Sequence, residues 1–172
     1  METVPERNNQ EPCPRIPTGP AVLAEKQQAH EDVLCGSTGF DMVVLKLDAV
    51  RRAVKEGYTS STYLGGDYLI VSTSTMNDET IADLDWKEEL RTVREFRPAI
   101  HIPTDYPVYE VDQASVREEN IKRLLRGTHW MGNKLSDVST RVLPLLKGVT
   151  PGEREQFYQQ FQQMGLGECA FY

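Results

Sequence analysis

Residues that build disulfide or metal frameworks are scarce: Cys13, Cys35 and Cys169 are the only cysteines, and His30, His101 and His129 the only histidines. The cysteines are odd in number and widely spaced, with no C-x-x-C and no histidine at a finger-like distance, so neither a disulfide scaffold nor a zinc site is expected. Long apolar runs are missing too. The longest, such as VLPLL, have about five residues against the roughly 20 a membrane helix needs, and none follows the first methionine. A soluble, cytoplasmic protein without membrane contact is the expectation. Positive charge is in deficit: 19 Lys and Arg against 26 Asp and Glu leave a net charge of −7, so no general basic field exists to hold a phosphate backbone. Any contact with nucleic acid must be local or borrowed. Standard catalytic motifs are absent as well, with no GxxxxGK[ST], no GxGxxG after a strand, no GxSxG and no HExxH. GSTGF at Gly36 to Phe40 precedes a strand, where phosphate loops follow one, so it is read as a turn. SSTYLGGD at Ser60 to Asp67 is read as a connection.

What is present is an ordinary globular balance, 39% hydrophobic and 26% charged over 172 residues, enough for one folded unit. Pro5, Pro12, Pro14, Pro17 and Pro20 stand among polar residues, a composition that buries too little to offset its ordering entropy. Residues 1–30 are therefore read as a disordered leader and 31–172 as the folded domain.

From Asp41 onward a short β-branched run, a polar loop and an amphipathic segment recur in turn. MVVL is followed by LDAVRRAVKEGY, with Leu47, Val50 and Val54 on one face and Gly57 ending the helix. Tyr68 to Ser72 is the second strand, followed by the polar loop TSTMNDE and a helix lined by Leu90, Val93 and the Arg97 stem, closed by Pro98. Ala99 to Ile102 is the third, followed by PTDYPVYEVD and a helix opened by Ser115 with Glu118 as its box partner, carrying Ile121, Leu124, Leu125 and Trp130 or Met131. RVLPLL is the fourth, ending at Leu146. Thr150, Pro151 and Glu153 then supply a cap, a first-turn proline and a box partner for a helix with Phe157, Phe161 and Met164, ended by Gly165. ECAFY starts a last strand.

Strands separated by single helices imply parallel pairing with right-handed crossovers, hence an α/β fold: an open doubly wound sheet or a (β/α) barrel. Both place ligands beyond the carboxyl ends of the strands. The loops there hold Thr73, Ser74, Asn77, Asp78, Thr104, Asp105 and Tyr106, and the fourth unit adds Lys147. Asp105 is either an acceptor for two N–H donors of a base or a loop cap, and Lys147 either a ligand-facing cation or a solvated loop lysine. Tyr106, Tyr109 and Trp130 either stack a planar ring or fill a core margin. His101, alternating with Ile100 and Ile102, points opposite to them and is read as a satisfied buried or helix-facing histidine rather than a catalyst.

The order of features from Ile100 to Tyr172 resembles the tRNA-guanine transglycosylase superfamily, the base-exchange enzymes of queuosine and archaeosine formation with their DNA-modifying relatives. The matching run is HIPTDYPVY, a helix reaching Trp130, LPLLKG, the Glu153 to Met164 helix and GLGECAFY. The resemblance implies a (β/α) barrel, here about half a TIM barrel. It also implies that Asp105 hydrogen-bonds a purine, with Lys147 where a base-contacting glutamine is usual and Gly148 as the glycine after it. Tyr106 joins this base-binding set, and Ser74, Asn77, Asp78 and Thr104 are pocket-lining candidates. Pro107 replaces the family's pocket cysteine, and in GSTGF, a weak echo of its Asp-Ser-Gly-Gly-Phe loop, Gly36 takes the aspartate's place.

The family's nucleophilic aspartate and Cys/His zinc ligands lie beyond the part matched here, so no cofactor and no catalytic residue is assigned. The implied function is recognition of guanine or a 7-deazaguanine in tRNA or DNA for glycosyl transfer. A homodimer or partner chain would complete the barrel. Two alternatives stand beside it: a non-catalytic subunit or fragment of such a barrel, and an unrelated small-molecule enzyme on a (β/α) scaffold.

Overall fold

Val43 and Leu45 alternate with Met42 and Val44, and Ile70 with Leu69 and Val71, so each run offers one apolar set to either face of a sheet. The computed structural model describes residues 16–17, 19–24, 40–64, 68–76 and 78–171. It pairs these runs in parallel as β2 (Met42–Lys46) and β3 (Leu69–Thr73), with Val43 opposite Ile70 and Leu45 opposite Ser72. Next to β3 lies β4 (Ile100–Ile102), and then β5 (Arg141–Val142), both parallel. On the other side of β2 stands β1 (Ala21–Ala24), with Val22 opposite Val43. This strand lies inside residues 1–30, the stretch read as leader. The remaining expectations for that stretch, with Gly36–Gly39 of GSTGF and Asn77, fall outside the described residues.

The five strands lie in the sheet in the order in which they occur in the chain. Right-handed crossovers that always advance in one direction set every helix on one face, whereas a doubly wound sheet reverses its order. The helices behave accordingly. α1 (Leu47–Lys55) follows β2, and α2 (Ser60–Tyr63) is one capped turn within the segment read as a connection. α3 (Asp78–Ala82) and α4 (Trp86–Phe96) follow β3, so the polar loop read there already contains a helix. α5 (Ala114–Lys134) follows β4, and α1 packs on α4 and α4 on α5. Between sheet and helices, Val43, Leu45, Ile70, Val50, Ala53 and Phe96 form one buried cluster. Val93, Met131, Leu135 and Val142 form a second.

RVLPLL is not one strand. Pro144 has no N–H to donate, and the run divides into β5 and β6 (Leu145–Leu146), the latter paired in parallel with β7 (Ala170–Phe171) as a separate two-stranded sheet. α6 (Pro151–Gln163) joins them, with Thr150 and Glu153 forming the expected capping box and Phe157 and Phe161 buried against Ile121 and Leu125 of α5. Two helix ends differ from expectation. α5 begins at Ala114 with Gln113 as its uncapped N-cap, so Ser115 lies inside the first turn. α4 ends at Phe96, and Arg97, at φ 58°, is its exposed left-handed cap, leaving Phe96 to fill the space assigned to the arginine stem.

Candidate functional site

The segment after β4 is held in an uncommon backbone conformation. Thr104 has a φ of 50°, a region that costs a β-branched residue roughly 1–2 kcal/mol, and the Tyr106 N–H donates to the Thr104 carbonyl at 2.9 Å. Packing enforces it: the Thr104 side chain is fully buried against Gly127 of α5, where a Cβ would meet Thr104 Cγ2 at 2.5 Å. Between these neighbours Asp105 is carried at the carboxyl end of β4, 8% exposed. Its Oδ1 pairs with the Lys147 ammonium, which stands just past β6 and also donates to the Tyr106 carbonyl at 3.0 Å.

Two residues from two strand ends, placed by the resemblance around one base, are joined instead to each other in one nearly dry ion pair, their side chains 6% and 11% exposed. Neither is a solvated loop residue. Gly148, the next residue, has a φ of 129°, and a Cβ there would lie 3.1 Å from the Arg154 backbone nitrogen and the Glu153 Cβ. It lets the chain turn from Lys147 directly onto the first turn of α6, where Arg154 donates to the Gly148 carbonyl at 3.0 Å.

The other candidates do not converge on this pair. Tyr106 is 2% exposed and its ring enters the cluster with Ile121, Leu124 and Phe157, while its hydroxyl accepts from the Trp86 indole at 2.9 Å. It offers the pair its backbone carbonyl, not its ring. Thr104 faces Leu124 and Gly127 of α5. Ser74 is fully buried and donates to Glu89 of α4, so it belongs to the helix side of the sheet rather than its edge. Asp78 opens α3, and Asn77 lies outside the described residues.

Ser74 belongs to a buried polar chain. The Ser72 hydroxyl lies 2.8 Å from His101 Nδ1, and His101 Nε2 lies 3.0 Å from Glu89 Oε1. A hydroxyl, an imidazole and a carboxylate in series have the form of an activated nucleophile. All three side chains are fully buried between sheet and α4, so no substrate reaches them, and the arrangement ties α4 to β3 and β4. His101 therefore satisfies its hydrogen bonds facing the helices, as its alternation implied.

One grouping escaped the sequence reading. An open groove of about 460 Å³ between the start of α4 and the middle of α5 is lined by Trp86, Lys87, Tyr106, Arg123, Arg126 and Trp130 among others. The two indoles stand 6.0 Å apart, and the Arg123 guanidinium covers the Tyr106 ring at 4.2 Å. The signal was present in α5, where Arg123, Arg126 and Trp130 recur at steps of three and four. Trp86, on another helix, is not reachable from that spacing.

Among the described residues no three His, Cys, Asp or Glu side chains converge as a metal site, and no helix is long and apolar enough to cross a membrane. No protein-family model and no curated protein matches the chain. The class defined by fold and site is accordingly a mixed α/β protein with a five-stranded parallel sheet and a buried carboxylate–ammonium pair at its carboxyl edge.

Proposed function

We propose that the chain recognises guanine or a 7-deazaguanine in tRNA or DNA, as a base-recognition part of a tRNA-guanine transglycosylase-like barrel. The observation that carries this reading is the Asp105–Lys147 pair, in which a carboxylate on the buried, strained loop after β4 meets an ammonium just past β6, at the strand ends where parallel α/β folds bind ligands. Asp105 accepts from the donor edge of the purine and Lys147 donates to its exocyclic oxygen, so the pair orients the base without breaking a bond. Exchange at the glycosidic bond further needs a nucleophile on the anomeric carbon and a nucleotide turned out of its stack. The buried Ser72–His101–Glu89 chain does not supply that nucleophile, and in this reading a second copy or a partner chain brings it to the base that this chain recognises.

Strand order supports the partial barrel. β5 and β6 come from one run divided at Pro144, β5 pairing with β4 in the five-stranded sheet and β6 with β7 in a separate pair, so each described pairing is parallel and in chain order. Such single-direction winding is that of the (β/α) barrel, which closes at eight strands.

Calorimetric titration with guanine and 7-deazaguanine tests the reading. The chain binds one or both, and Asp105→Asn weakens binding by roughly 10- to 100-fold, the range for a hydrogen bond to a charged group. Equal affinity in the variant, or no binding of either base by the folded protein, overturns it.

A further inference from the structure

We propose that the groove between the start of α4 and the middle of α5 holds a single-stranded stretch of nucleic acid, a base against Trp130 and Trp86 and phosphates against Lys87, Arg123 and Arg126. Three cations and one carboxylate, Asp85, face this groove on a chain whose net charge is −7. The neighbouring groove, lined by Arg51 with Glu79, Asp83, Asp85 and Glu88, has the opposite balance and repels phosphate. The two indoles are partly exposed and inclined at 42°, leaving faces on which a planar ring can stack. Aromatic faces flanked by arginines are the elements from which sequence-tolerant single-strand sites are built.

The cations differ in how firmly they are held, and Arg126, whose Nε also donates to the Lys122 carbonyl at 3.3 Å, keeps its outer nitrogens on the surface. Arg126 meets Glu119 at 3.1 Å with both side chains more than half exposed, an ion pair of little net worth that a phosphate can replace. Arg123 bridges the Ala82 carbonyl and the Tyr106 ring and so is already aimed along the groove. Tyr106 is the wall between groove and base site: its ring lines the groove, and its carbonyl takes the Lys147 ammonium that pairs with Asp105. A strand lying in the groove runs along the Tyr106 wall behind which the Asp105–Lys147 pair lies, and this positioning role rests on the base-recognition reading while the groove's binding does not.

The test is fluorescence anisotropy of the full chain with a fluorescein-labelled ten-nucleotide oligothymidylate, with circular dichroism to verify folding. Three phosphate contacts predict a fall in affinity of roughly 15- to 20-fold between 50 and 200 mM salt, from a slope of about −0.7 per contact on single strands. Trp130→Ala weakens binding by about tenfold or more, the loss of one stacked base. Arg126→Gln, on an exposed side chain that leaves the core untouched, lessens the salt slope by about 0.7. Unchanged affinity and slope in Arg126→Gln, or no binding at low salt, overturns the proposal. So does loss of oligonucleotide in Asp105→Asn with retention in the groove variants, which places the strand at the base site. Groove-dependent binding without guanine binding leaves this inference standing and removes the base-recognition reading.

Discussion

Asp105 and Lys147 are each exposed by little more than a tenth or less, so their charges depend on one another. Asp105→Asn leaves the ammonium buried without its counter-charge and is expected to lower unfolding stability by about 3–5 kcal/mol. Asp105→Asn with Lys147→Gln recovers most of that loss, because two neutral amides replace the pair in similar volume. Urea unfolding of the three proteins checks this, and a single variant as stable as the parent shows that the pair is solvated. The position of each after an apolar strand was legible, but not the ion pair between them, because nothing in spacing brings two distant strand ends into contact. Ser74 was more legible than its reading allowed: alternation from Ile70 through Ser72 sends it toward the helices, where Glu89 accepts from it. Tyr106 defeats alternation, because the left-handed Thr104 before it redirects the chain and no local signal marks a β-branched residue for that conformation.

At the level of elements, the four long helices α1, α4, α5 and α6 were recovered from their apolar spacing, the short α2 and α3 were not, and helix ends were read less well, since a cap rests on one or two hydrogen bonds. Thr150 and Glu153 satisfy one another reciprocally and were legible, whereas Ser115 with Glu118 matches the same pattern and opens nothing. Burial pushes the Glu153 carboxyl up, but the Thr150 and Val149 N–H groups and the Arg117 guanidinium outweigh it and hold it below its ordinary value of 4.5. A carboxyl lowered by folding contributes its stability in full above the unfolded value and loses it as pH falls through the folded one. Glu153→Gln is therefore expected to melt at a lower temperature than the parent at pH 7, the gap closing below about pH 4.5, as melts from pH 3 to 7 would read. A gap that does not narrow at all between pH 4.5 and pH 3 assigns the loss to packing instead. Gly127 gives a second expectation. Alanine is worth about 1 kcal/mol over glycine inside a helix, yet Gly127→Ala drives a Cβ into Thr104 and is expected to destabilise by about 1–3 kcal/mol. Adding Thr104→Gly removes the obstructing side chain and the left-handed strain together, and chemical denaturation should show the double variant more stable than Gly127→Ala.

For the whole molecule, alternation of strand and helix made the parallel α/β class legible, while the choice between single and double winding was not, because it lies in strand order and no residue pattern encodes that. β1 was missed for a related reason: AVLA is four residues long, follows Pro20 and has meaning only once β2 is there to pair with it. Single winding has a physical consequence. With the helices on one face, the other carries Val71, Ile100 and Leu143, already buried by strand and loop residues, and Met42, Val44 and Leu69, which stay half-buried with no described helix over them. Parallel sheets occur almost only with both faces covered, and Leu23 and Phe171, on the outermost strands, are 45% and 74% exposed. Association that closes this face, by a second copy in the purified protein, is the expected remedy. Sedimentation should then give a mass of at least twice the 19.5 kDa of one chain. Val44→Lys sets a charge at the centre of the face, costly in a closed interior and tolerable on an open one, so it should return the protein to the single-chain mass with its helical signal kept. A parent that sediments as one chain, and a Val44→Lys variant that unfolds without changing mass, would mean that the chain covers this face itself, and the half-barrel reading would fall with the dimer.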